Sequence, residues 1–156
     1  MMMEIIVATS IIAVSVLACL IVAQKSISLS IRAVHNTEAA YLLEEGAESV
    51  KILRDNNSWA NFTSFFSTSS VYCLARTVAS WTTALPTTSP CTKVNNFTRT
   101  ITATNVNRDA TTGDIVSSGG VLDSGTKLIT VTVGWLEGGI QITKTLKFYV
   151  SNLFPA

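Results

Sequence analysis

Charge is scarce in this chain. Asp, Glu, Lys and Arg make up 13% of 156 residues, and eleven basic against ten acidic side chains leave a net charge of +1. With no basic excess there is no field to capture nucleic acid by counterion release, so no specific nucleic-acid partner is expected. Histidine occurs once and cysteine three times, with no C-x-x-C, too little for a structural zinc site of paired spacing. No metal, no cofactor and no catalytic residue is expected. From Glu4 to Asn56 there is no proline, so none of that stretch is broken by one. The length has room for one globular domain and one extended element, which excludes a multidomain machine. What is abundant is apolar surface: 47% of residues are hydrophobic and the mean hydropathy is +0.40, too apolar for a disordered chain.

That hydrophobicity is concentrated at the amino end. Residues 5 to 23, IIVATSIIAVSVLACLIVA, carry no charge. As a helix they span roughly 28 Å, close to the hydrocarbon thickness of a bilayer. Apolar residues on every face argue for a transmembrane helix over a buried core helix. A cleaved signal peptide fits less well, because MMME brings no Lys or Arg and the run exceeds an h-region of about 7 to 15 residues. Val16-Leu17-Ala18-Cys19 offers a further alternative, a lipoprotein cleavage box with Cys19 as acceptor, although the apolar run continues beyond it.

The helix is expected to continue to Asn56, because only Gly46 interrupts good helix formers; about 50 residues would reach roughly 75 to 80 Å. Ala39, Leu43, Gly46, Val50 and Leu53 recur at helical intervals and form one narrow seam. Glu44, Glu45, Glu48, Lys51, Arg54 and Asp55 lie mostly off it as a solvated face, where Glu48 with Lys51 and Lys51 with Asp55 can pair weakly. Asn56-Asn57-Ser58 ends the helix.

From Trp59 onward Ser and Thr crowd the chain, a composition suited to strands and loops. Ile129, Val131, Val133 and Trp135 alternate with Thr and Gly; Glu137-Gly138-Gly139 supplies a turn; Ile140, Ile142, Leu146, Phe148 and Val150 form the matching face. This predicts an antiparallel hairpin with one buried side. Residues 97–106 are a third strand, and Ile115-Val116 a short one in a Gly-rich loop. Such a sheet needs a cover, and the helix seam is the available partner, which makes the fold α+β.

Cys73 and Cys91 are the only cysteines outside the apolar helix and bracket a Ser/Thr-rich segment with Pro86 and Pro90. A disulfide between them would place the head in an oxidising compartment. Lys25 and Arg32 would instead draw their end of the apolar helix toward the cytoplasm; the cysteines are given more weight. His35 has no second His or suitable Cys beside it and reads as a surface residue. Asp109, Asp114 and Asp123 flank the Gly-rich loop without EF-hand spacing, so loop solvation is expected over calcium binding. Asn61-Phe62-Thr63 and Asn96-Phe97-Thr98 fit the glycosylation triplet by letter.

An apolar helix with a single Glu near its start, continuing as an amphipathic helix into a small β head, resembles the type IV pilin family and its pseudopilin relatives. Glu4-Ile5-Ile6-Val7-Ala8, the stretch from Ala39 through Asp55 with Trp59, and Ile129 to Gly139 carry the likeness. Members usually begin with Phe and have Glu as the fifth residue, often with a helix-interrupting Pro; here three Met precede Glu4 and no such Pro occurs. The resemblance implies a structural filament subunit that is membrane-anchored before assembly and displayed on the cell surface afterwards. Its partners would be copies of itself, the inner membrane and an assembly machinery. It also implies that Glu4 pairs with a neighbour's N-terminal ammonium. Ile5, Ile6, Ile11, Ile12, Val16 and Leu20 are expected to pack helix on helix. A minor pilin or pseudopilin, and a non-polymerising single-pass protein whose β head binds a partner, are the alternatives. The expected organisation is residues 1–24 for membrane and polymerisation, 25–56 for the amphipathic half and 57–156 for the head.

Overall fold

A computed structural model describes residues 2–66, 70–76, 81–84, 91 and 93–153. The protein is α+β, with a long N-terminal helix, α1 (Met2–Asp55), whose C-terminal part packs on an antiparallel sheet. Its contacts divide it into two compact units, Met1–Glu38 and Ala39–Ala156.

In the first unit the helical residues are exposed almost throughout. Several of the helix's hydroxyls bond back onto it. Thr9 Oγ1 donates to the carbonyls of Ile5 and Ile6 at 2.9 and 3.1 Å, Ser10 Oγ to Val7 at 2.8 Å, and Ser15 Oγ to Ile11 at 2.8 Å. Hydroxyls satisfied on the preceding turn present little uncompensated polarity to an apolar surrounding.

The second unit begins where the seam begins. Ala39 and Val50 are fully buried, Gly46 and Leu53 are buried and Leu43 is half-buried. Gly46 is needed for space: a Cβ there would stand 2.7 Å from Val131 Cγ1 and 3.3 Å from Arg99 Cδ. Asn57 Nδ2 donates to the Leu53 carbonyl at 2.8 Å and closes the helix. A second helix follows, α2 (Trp59–Phe65), with Ser58 as N-cap accepting from Asn61 N–H at 3.3 Å. Reading everything after Trp59 as strands and loops overlooked it. Trp59, Phe62 and Phe66 recur at helical spacing, and their rings lead in steps of 5.5, 5.3 and 5.2 Å to Tyr72 in the core.

The strands are β1 (Val71–Arg76), β2 (Trp81–Ala84), β3 (Thr98–Arg108), β4 (Ile115–Val116), β5 (Val121–Glu137) and β6 (Ile140–Ser151), in the order β2-β1-β3-β5-β6 with β4 paired to β3. Every pairing is antiparallel. Gly138 and Gly139, both at positive φ, make the two-residue turn of the β5–β6 hairpin. Ile129 faces Phe148 and Val131 faces Leu146 as the alternation requires, while Ile140 at the turn is exposed. The inner face joins Ile101, Ala103, Ile129, Val131 and Val150 to Val50 and Leu53 of α1. A second cluster gathers Ala39, Phe97, Val133 and Trp135. Cys73 and Cys91 form a disulfide with Cα atoms 5.4 Å apart; Pro86 and Pro90 lie outside the described residues.

The β3–β5 register shifts between Asn105 and Val106: Asn105 faces Lys127, but Val106 faces Asp123. Residues 124–126 are thereby bulged out of the β3 pairing, while Thr126 still faces Ser151 of β6. The bulge is pinned from both sides, with Trp59 Nε1 donating to the Ser124 carbonyl at 2.9 Å and Asn152 N–H to that of Gly125 at 2.8 Å.

Candidate functional site

Within the first unit, Glu4 lies in the first turn of α1, where a carboxylate favours the positive end of the helix. With Met3, Val7, Ala8 and Ile11 it lines a shallow, open depression of about 400 Å³. Ile5, Ile6, Ile11, Ile12, Val16 and Leu20 are each more than half exposed. At 100° per residue Ile5, Ile12, Val16 and Leu20 fall on one side, and Ile11 lies well round from them. The apolar surface is thus a sleeve rather than a stripe. Its 18-residue window has a mean hydropathy of 2.9 and is 0% buried, which makes the helix long and apolar enough to cross a membrane. Cys19 is exposed within the same stretch.

The head's charges are spent locally. Arg108 Nε donates to Asp123 Oδ2 at 2.6 Å, and its other nitrogens reach the Gly113 carbonyl at 2.9 Å and Thr126 Oγ1 at 3.4 Å. Hydrogen bonds from Thr126 and Arg108 hold the Asp123 carboxyl below its ordinary range. Asp109 Oδ1 accepts from the N–H groups of Thr111 and Thr112 at 2.7 and 3.0 Å. Those backbone bonds, that of Thr112 foremost, lower its pKa as well. Asp109, Asp114 and Asp123 are not brought together, and among the described residues no three His, Cys, Asp or Glu side chains converge. His35 is half-buried on α1. The expected Glu48–Lys51 pair forms at 2.7 Å with both side chains exposed.

Sequence reasoning missed Arg99. It is 6% exposed on the inner face of β3, where its Nη1 pairs with Glu45 and also donates to the Leu42 carbonyl at 3.4 Å. The signal was there in the alternation, since Arg99, Ile101 and Ala103 share one face of the strand. Burying a guanidinium under a helix is tolerable only with such partners, and the pair ties β3 to one turn of α1.

Where β3 meets β4, an open groove of about 690 Å³ is lined by apolar residues such as Val106, Ile115 and Leu128 together with Asn107, Ser117 and Tyr149. No family model, curated protein or solved structure matches the chain.

Proposed function

We propose that this chain is the structural subunit of a type IV pilus-like surface filament, held in the membrane by the apolar part of α1 and polymerised through that same surface. One observation carries the reading: a sleeve of apolar side chains, each more than half exposed, on a helix whose later turns are buried against a β head. Soluble proteins rarely leave that much contiguous apolar area open, so lipid or other copies of the chain must cover it. The resemblance of Glu4 and the following apolar run to the pilin N-terminal segment favours other copies as the final occupant. In this reading Glu4 of one subunit neutralises the N-terminal ammonium of the next, since a carboxylate carried into an apolar setting costs about 2.5 to 3.5 kcal/mol unless paired. The assembled subunit is extracellular and the unassembled one stays in the inner membrane.

Negative-stain microscopy of sheared surface material from cells carrying the native chain and Glu4→Ala tests this. Thin homopolymeric fibres that become rare with Glu4→Ala are the expected result. Normal fibres in normal number would remove Glu4 from the mechanism. A protein recovered only as a membrane-embedded monomer would favour a single-pass protein with a β binding head.

A further inference from the structure

We propose that Asn96 is the acceptor of an N-linked glycan. Three triplets of the Asn-x-Ser/Thr form follow the apolar run: Asn56-Asn57-Ser58, Asn61-Phe62-Thr63 and Asn96-Phe97-Thr98. Such a triplet gains meaning from its backbone, because a glycosyl transferase must hold the Asn amide together with the hydroxyl two residues on, and this calls for a surface turn or loop. The first two triplets stand in helical surroundings. Asn61 and Thr63 lie within α2, where residues two apart do not face each other. The Thr63 hydroxyl is given to the carbonyls of Trp59 and Ala60, each at 3.0 Å. Asn56 N–H makes a closing bond of α1 to the Ile52 carbonyl at 3.0 Å, and Ser58 Oγ is occupied as the N-cap of α2.

The third triplet has the backbone that the transfer needs. Val94 N–H donates to the Phe97 carbonyl at 2.9 Å and Phe97 N–H to that of Val94 at 3.0 Å, which leaves Asn95 and Asn96 as the two residues of a tight turn. Asn95 takes the left-handed conformation, φ 54°, that asparagine tolerates, and Asn96 is exposed. Phe97, 3% exposed in the cluster with Ala39, Val133 and Trp135, fixes the turn to the core. Thr98 then opens β3 in extended chain, where residues two apart share a side. Among the described residues its hydroxyl makes no hydrogen bond. The compartment agrees, since the Cys73–Cys91 disulfide belongs to an oxidising environment outside the cytoplasm. The donor is an oligosaccharide carried on a membrane lipid pyrophosphate. Asn96 Nδ2 bonds to the anomeric carbon, the lipid pyrophosphate leaves with the electron pair of the broken C–O bond, and the nitrogen gives up one proton.

The site is independent of polymerisation and is read on the chain isolated from the cells that make it, by intact mass and by fragmentation of the peptide that holds Asn96. A sugar mass on Asn96 is expected. It should be lost in Asn96→Gln and in Thr98→Ala, and retained in Thr98→Ser, Asn56→Gln and Asn61→Gln. Unchanged thermal melting of Asn96→Gln and Thr98→Ala produced in a host without the transferase excludes misfolding as the cause of the loss. An unmodified Asn96, a glycan at Asn56 or Asn61 in its place, or a glycan that survives Thr98→Ala overturns the proposal.

Discussion

Gly46 sits where α1 packs against Val131 and Arg99 of the sheet. Glycine inside a helix costs about 1 kcal/mol of propensity relative to alanine, and here space outweighs that cost. Val131, the residue a Cβ would strike at 2.7 Å, is fully buried and β-branched, so it has nowhere to turn. Gly46→Val is expected to destabilise the head by about 1–3 kcal/mol in urea unfolding. The Asp123 carboxylate sets a second expectation. Its pKa is lowered in the folded state by Thr126 and Arg108, so the stability it contributes is complete above the unfolded value near 3.9 and fades as pH falls through the folded one. Thermal melting followed from pH 5 downward should show midpoints falling below about pH 4, with a shallower fall in Asp123→Asn. Arg99 teaches a related lesson: a charge inside an apolar alternation was visible in the sequence, but its partner Glu45 was not, because the two are distant in the chain and only the helix-on-sheet packing joins them.

At the scale of elements, the β1–β2 hairpin is held loosely by the ladder. β1 pairs with β3 only through Val71–Thr102 and Tyr72–Ile101, whereas β3–β5 and β5–β6 pair along most of their lengths. The Cys73–Cys91 disulfide, linking β1 to the segment that leads into β3, makes up for the short pairing. Closing a loop with a sequence separation of 18 stabilises the fold by about 3 kcal/mol in the chain-entropy view. Reduction, or Cys91→Ser, should lower stability by up to about that amount. Hydrogen exchange should quicken in β1 and β2 well before β5 and β6, a distinction readable by mass spectrometry of peptic fragments. The elements legible in sequence were those with strong periodicity: the apolar run, the seam from Ala39 to Leu53, and the alternation on either side of Gly138-Gly139. Helix α2 was not legible, because its Ser and Thr content argued for strand while its aromatic spacing and the Ser58 cap argued for helix. The register shift was hidden for another reason: it depends on both partners of a ladder, and neither strand announces it alone.

For the molecule as a whole, the two units present opposite surfaces. Ala39–Ala156 has buried clusters of its own, whereas the apolar residues of the first unit remain open. Open apolar area of this extent favours being covered, and the Glu4 comparison asks whether the proposed covering by other copies is ordered.

Thr9, Ser10 and Ser15 return their protons to the turn behind them, and no proline interrupts the bonding along α1. Over that stretch the rod asks nothing polar of the company it keeps. In the proposed assembly it would trade fatty tails for the flank of a sibling without uncoiling, so the barrier to that exchange would come from what surrounds the rod.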